Sequence, residues 1–182
     1  MIELKEVFAE WKDRIDHPIV AIETGCSFMW GEGFDPYISS LNIMKHLVQP
    51  TDGELYSLDN DGDNLTVCFE ELHERDLDRR FTGMEGDSVE SIKKLASAHK
   101  KYILNKVKVN FVWLDSSEDA DHAMAEYEAI KPMLSDKHVI CVDDYDCPNS
   151  VKWQGISQII KDTFKEYKTY KTPTGLIVGY NG

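Results

Sequence analysis

Two kinds of hydrophobic spacing alternate along the chain. Nearly continuous apolar runs, several rich in β-branched residues, fall at IVAIE (19–23), ELYSLD (54–59), KVNFVWLD (108–115), KHVICVDDY (137–145) and TGLIVGY (174–180), with a weaker one at RRFTGME (79–85). Short apolar runs bounded by turn residues predict buried strands. Between them, apolar residues recur every three or four positions: YISSLNIMKHL (37–47), LTVCFEELHERDL (65–77), SVESIKKLASAHKKYI (88–103), DADHAMAEYEAIKPML (119–134) and VKWQGISQIIKDTFKEY (151–167). That spacing predicts amphipathic helices, and the third of them opens on Ser88 with Glu90 close behind, a good helix start. The first 17 residues carry charges at helical spacing and predict an N-terminal helix.

Strand–helix alternation of this kind implies βαβ units: an α/β fold with a mostly parallel sheet and helices on both faces. In such sheets ligands bind beyond the carboxyl ends of the strands, where the strand order reverses. The residues at those ends are the polar ones: Glu23-Thr24-Gly25, Asp59-Asn60-Asp61, Asp87-Ser88, Asp115-Ser116-Ser117 and Asp143-Asp144.

Bulk properties narrow the function. The chain has 182 residues, 42% of them hydrophobic, which suits one globular domain. No apolar run approaches the ~20 residues of a membrane helix, and the N-terminal stretch lacks the apolar core of a signal peptide. The expected location is the cytoplasm. A net charge of −13 argues against nucleic acid or anionic membrane as a partner. Cys26, Cys68, Cys141 and Cys147 form no C-x-x-C pair and read as four free thiols. Oligomeric state leaves no mark on the sequence.

The stretch VAIETGCSFMWGEG (20–33) carries the first chemical signal. A strand that ends in Glu-x-Gly at a strand-to-helix junction is a nucleotide-type turn, in which Gly25 lets the backbone approach a ligand. Glu23 repels a diphosphate there and suits a ligand with a positive amino or sulfonium group. Asp59, ending the next strand, is placed to take both hydroxyls of a ribose. The second signal is a carboxylate group. Asp115 and Asp143-Asp144 end two strands that would lie ~4.8 Å apart as neighbours. Crowded like charges must be neutralised by a cation, by a shared proton, or by turning one acid to a positively charged ligand. The run Asp59-Asn60-Asp61-Gly62-Asp63 echoes a calcium loop, but registering Gly62 puts Cys68 where a bidentate Glu is required. His122, seven positions after Asp115, could reach the same pocket.

On these motifs the chain resembles the class I S-adenosylmethionine-dependent methyltransferases, over residues 19 to 180. AIETG resembles the first motif of that family, GELYSLD the second with its ribose-binding acid, and GDSVESI (86–92) the adenine-contacting loop. VNFVWLDSSEDADHAMAEYEAIKPML resembles the fourth motif, HVICVDDYD the fifth strand, and PTGLIVGY the closing antiparallel strand. Within the family it is similar to the small-molecule O-methyltransferase branch. The resemblance implies a Rossmann-like, doubly wound sheet of seven strands with the last antiparallel, in a single domain. Residues 1–17 would form its N-terminal helix and residues 26–36 an inserted loop over the cofactor.

It further implies S-adenosylmethionine held by Glu23, Thr24, Gly25, Ser27, Asp59, Asn60, Gly86, Asp87, Ser88 and Asp115. Asp115, Asp143 and Asp144 would hold Mg²⁺, as in the metal-dependent members, and Asp115, Asp144 and Glu118 would serve catalysis. The acceptor would be a small-molecule or sugar-like hydroxyl. Two departures favour an alternative, a non-catalytic relative that binds cofactor or partner. The tight glycine cluster is replaced by Gly25-Cys26-Ser27 and a longer segment, and a Lys of the metal-dependent enzymes is missing.

Overall fold

A computed structural model describes residues 1–26, 35–102, 108–117, 119–145, 147, 151 and 160–182. The first helix, α1, is Leu4–Lys12, with its stripe of Leu4, Val7, Phe8 and Trp11 buried. Strand β1 is Val20–Thr24. Ser39–Ile43, Met44–Val48 and Gln49–Thr51 follow one another as a single helical run, α2, whose middle turn is π. That wide turn ends two residues before Pro50, whose ring would clash with a carbonyl four residues back in a regular helix. Strand β2 is Glu54–Asp59, α3 Gly62–Glu74, β3 Phe81–Glu85 and α4 Ser88–Tyr102. The rest are β4, Val109–Leu114; α5, Ala120–Ile130; β5, Leu134–Asp143; β6, Glu166–Tyr170; and β7, Leu176–Asn181.

The seven strands lie in the order β3-β2-β1-β4-β5-β7-β6. β1 pairs in parallel with both β2 and β4, so the order reverses between β1 and β4. β7 runs antiparallel to β5 on one side and to β6 on the other. This is the sheet the alternation predicts, with the last strand antiparallel.

The strands of the centre are buried on both faces, and their residues alternate between two cores. Ala21, Leu55, Phe111, Trp113, Val139 and Cys141 face the layer of α1, α2 and α3. Val20, Ile22, Leu58, Val112, Leu114 and Ile140 face α4 and α5. Burying a large aliphatic or aromatic side chain contributes about 1.5–3 kcal/mol, so these two layers dominate stability. Phe8 of α1 meets the edges of Phe111 and Trp113, with ring centres 5.4 and 6.0 Å apart.

Strand β6 departs from the sequence reading, which ran a helix through residue 167. Only Tyr170 of its five residues is buried. It is an edge strand whose charged residues serve α1: Arg14 donates to both carboxylate oxygens of Glu166 at 2.9 and 2.6 Å, and Lys168 donates to Glu10 at 2.8 and 2.9 Å. The Trp11 indole N–H donates to the Tyr170 hydroxyl at 2.7 Å. Charges on an edge strand also discourage pairing with another chain.

Candidate active site

A cavity of about 800 Å³ opens at the carboxyl ends of the strands, over the point where the strand order reverses. Gly25, Asp59, Asn60, Gly86, Asp87 and Ser88 line it, as do Asp115, Asp143 and Asp144. Nine of the residues expected from the sequence therefore share one wall. Ser27 and Glu118 lie outside the described residues, as does most of the 26–36 segment.

Glu23 and Thr24 differ from expectation. The strand does not stop at Glu23 but continues through Thr24, and both side chains are fully buried. Neither lines the cavity. Glu23 points into the α2 side of the sheet, where its carboxylate accepts the hydroxyls of Ser39, Ser40 and Ser57 at 2.5, 2.6 and 2.7 Å. Burial pushes its pKa up, against the pull of the three hydroxyls. Thr24 points to the other face and donates to Glu126 at 3.1 Å.

Gly25 has φ of +75°, and a Cβ there would sit 2.4 Å from the carbonyl oxygen of Asp115. The glycine is needed because β1 turns against the end of β4. The close approach seen here is to protein backbone, at a residue that also lines the cavity. The Gly25 N–H donates to the Leu58 carbonyl at 2.8 Å, and the Asp115 N–H to the Thr24 carbonyl at 2.9 Å. Three strand ends are thereby locked together.

Asp59 sits at the end of β2, buried but bordering the cavity. One carboxylate oxygen accepts the Asp61 N–H at 2.8 Å; the other accepts the Cys26 N–H at 3.0 Å and its thiol at 3.4 Å. The Asn64 amide adds a long contact to the first oxygen at 3.5 Å. A carboxylate has about four lone-pair sites, so a ligand hydroxyl reaches Asp59 by displacing the two long contacts, the Asn64 amide and the Cys26 thiol. Contact with Cys68, then burial, pushes the Cys26 thiol far up, so it stays protonated. All four cysteines are free thiols. Asp87 caps α4, accepting the Glu90 N–H at 2.9 Å.

The acid behind this wall was not foreseen. Glu126 of α5 is fully buried and accepts three hydroxyls: Thr24, Ser88 at 2.5 Å, and Ser116. His122, one turn earlier, places Nε2 3.0 Å from the Ser88 hydroxyl and 3.5 Å from the Glu126 carboxylate. Ser88, Ser116 and His122 all line the cavity. The signal was present in the sequence, because Ala123, Glu126, Tyr127 and Ile130 occupy one helix face. An acid inside an apolar stripe needs buried partners.

The three-carboxylate metal group does not form. Asp115, Asp143 and Asp144 border the same cavity, yet among the described residues no three His, Cys, Asp or Glu side chains gather as metal ligands. Asp143 is held back: one oxygen accepts the Thr174 hydroxyl at 2.7 Å and the Asp144 N–H at 2.9 Å. Asp144 follows with φ of 61°, so the two neighbouring acids do not continue one strand.

A family model described as a methyltransferase domain matches residues 38–145. The chain belongs to this methyltransferase family. Solved structures share the fold at low identity. A methyltransferase from Geobacter sulfurreducens is 13% identical, with a TM-score of 0.66 over 98% of this chain and 76% of that one. The O-methyltransferase from Bacillus cereus, solved in complex with SAH, is 13% identical, with a TM-score of 0.66 over 98% and 87%. MycE from the mycinamycin biosynthetic pathway, in complex with Mg, SAH and mycinamycin VI, is 15% identical, with a TM-score of 0.58 over 97% and 48%. No curated protein matches the chain significantly. Among the described residues, no helix is long and apolar enough to cross a membrane.

Proposed function

We propose that this methyltransferase moves the methyl group of S-adenosylmethionine to a hydroxyl of a small molecule. The observation that carries the reading is the charge of the cavity wall. Five aspartates, Asp59, Asp87, Asp115, Asp143 and Asp144, border it, and among the described lining residues there is no Lys or Arg. A cofactor with a sulfonium and an amino group satisfies that field, whereas a phosphate-bearing one does not. The SAH complexes of the structural neighbours support the same choice.

In this reading Asp59 accepts the ribose hydroxyls, Gly86, Asp87 and Ser88 border the adenine, and Asp115 faces the positive end. Methyl transfer is an in-line displacement. The acceptor oxygen bonds to the methyl carbon as the carbon–sulfur bond breaks, and that electron pair returns to sulfur. The protein supplies alignment and exclusion of water. The hydroxyl proton passes to the Asp144 carboxylate. Among the described residues the carboxylates as placed do not fit a divalent cation.

Titration calorimetry with S-adenosylhomocysteine tests the reading. The protein should bind it, and Asp59→Asn should weaken binding at least tenfold, in line with the ~1.5–3 kcal/mol of a hydrogen bond to a charged group. Absence of binding by the unaltered protein sinks the proposal. Binding and methyl transfer should also survive EDTA; a loss restored by Mg²⁺ would bring the metal back.

A further inference from the structure

Two polar atoms of the described residues are buried without any hydrogen-bond partner: the indole Nε1 of Trp113 and the hydroxyl of Thr172. Trp113 is 1% exposed and Thr172 8%. Both residues line the same cavity. Native proteins leave few buried polar groups unmatched, because each costs free energy that a partner would recover. Two at one cavity wall mark a place where a ligand completes the protein.

Their position separates them from the cofactor region. Trp113 lies on the face of β4 that looks toward α1 and α2, in one core with Leu4 and Ile38. Thr172 lies in the turn between β6 and β7, next to Pro173. Leu4, Ile38 and Pro173 line the cavity as well and give this part an apolar surface. Most of the wall assigned to the cofactor, from Gly25 to Ser88, follows β1, β2 and β3; only Asp115 follows β4, two residues beyond Trp113. Small-molecule sites span ~300–1,000 Å³, so a cavity of about 800 Å³ is at the roomy end of that range.

We infer that Trp113 and Thr172 form the acceptor subsite, and that it takes an uncharged ring compound bearing a carbonyl oxygen and a hydroxyl. The inference rests on the methyltransferase reading above. An indole N–H only donates, so the ligand must present an acceptor oxygen; a threonine hydroxyl serves as donor or acceptor. The apolar residues suit a ring. Asp143 and Asp144 border the cavity with no Lys or Arg among the described lining residues, so a carboxylate or phosphate on the ligand is repelled.

The test uses two probes of nearly equal shape, 4-hydroxyacetophenone and the anionic 4-hydroxybenzoate, on protein saturated with S-adenosylhomocysteine. The Trp113 indole N–H resonance is assigned with Trp113→Phe. The uncharged probe should move it and the anion should not. Thr172→Val, nearly isosteric, removes an unmatched hydroxyl. It should therefore raise the melting temperature of the ligand-free protein by about 2 °C or more. It should also weaken the uncharged probe at least fivefold and leave S-adenosylhomocysteine binding unchanged. An indole signal that ignores the uncharged probe, or follows both probes equally, overturns the assignment. So does a lower melting temperature in Thr172→Val. Should S-adenosylhomocysteine itself fail to bind, the methyltransferase reading falls separately. The same titration on cofactor-free protein then still decides the subsite.

Discussion

Glu23 and Glu126 are both wholly buried acids, each holding three hydroxyls, on opposite faces of one sheet. Their chemistry is nearly the same and their surroundings are not. The hydroxyls on Glu23 come from Ser39 and Ser40 of α2 and Ser57 of β2, and none of these lines the cavity. That cluster pins α2 to the sheet. The hydroxyls on Glu126 come from Thr24 at the end of β1, Ser88 at the start of α4 and Ser116 after β4. It ties together three strand-end segments, and two of its hydroxyls face the cavity. Burial of an acid therefore does not mark a functional group. Where its partners come from does: the first cluster joins layers, the second shapes the binding wall.

The largest effect should come from Glu23→Ala. It takes the shared carboxylate away from three serine hydroxyls in a dry interior and leaves a cavity, a loss of about 3–5 kcal/mol in urea unfolding. The folded fraction should bind S-adenosylhomocysteine as before. A tenfold loss of affinity in that variant would erase the distinction between the clusters. Glu126→Ala comes next. Water in the cavity can reach Ser88 and Ser116, so the expected loss is smaller, about 2–3 kcal/mol. Affinity should also fall, by about tenfold, because the segments that carry Ser88 and Ser116 are no longer tied. Lost stability with unchanged affinity would make Glu126 a structural clasp like Glu23.

The two acids also show what a sequence discloses. The sheet was legible because its central strands are buried on both faces and read as continuous apolar runs, such as VNFVWL and HVICV. The strand ends followed, and with them most of the cavity wall. β6 was not legible, because a polar edge strand has no buried face to leave a pattern; only Tyr170 points in. Glu23 was misplaced for a related reason. Its Glu-Thr-Gly context read as a strand end, while its partners Ser39, Ser40 and Ser57 are small polar residues 16 to 34 positions away, with no signature of their own. The missing metal group has the same origin. Sequence puts Asp115, Asp143 and Asp144 at neighbouring strand ends, but the Thr174 hydroxyl that restrains Asp143 arrives from residues 31 positions later.

The smallest effect, and the sharpest test of how dry the Glu23 cluster is, is the pH dependence of Glu23→Gln. Burial raises the pKa of Glu23 above its ordinary value of 4.5, while the three serine hydroxyls pull it down and Asp59 adds a push upward. Burial prevails, so the folded protein keeps a proton on Glu23 at pH values where the unfolded chain has released it. Folding then binds protons, and stability falls as pH rises from the unfolded value to the raised native one. The contribution is fully present below about pH 4.5 and is lost across that window. Glutamine is neutral throughout and hydrogen-bonds the same serines, so at acidic pH the two proteins should differ by no more than ~1 kcal/mol. As pH rises, Glu23→Gln should gain on the unaltered protein, and the difference should then stay constant above the native pKa. Every other titrating group is common to both and cancels in the difference. Urea unfolding of both proteins across this range measures it. A difference of the opposite sign, with the unaltered protein gaining as pH rises, would mean that the hydroxyls outweigh burial and that Glu23 is an ionised carboxylate in the core.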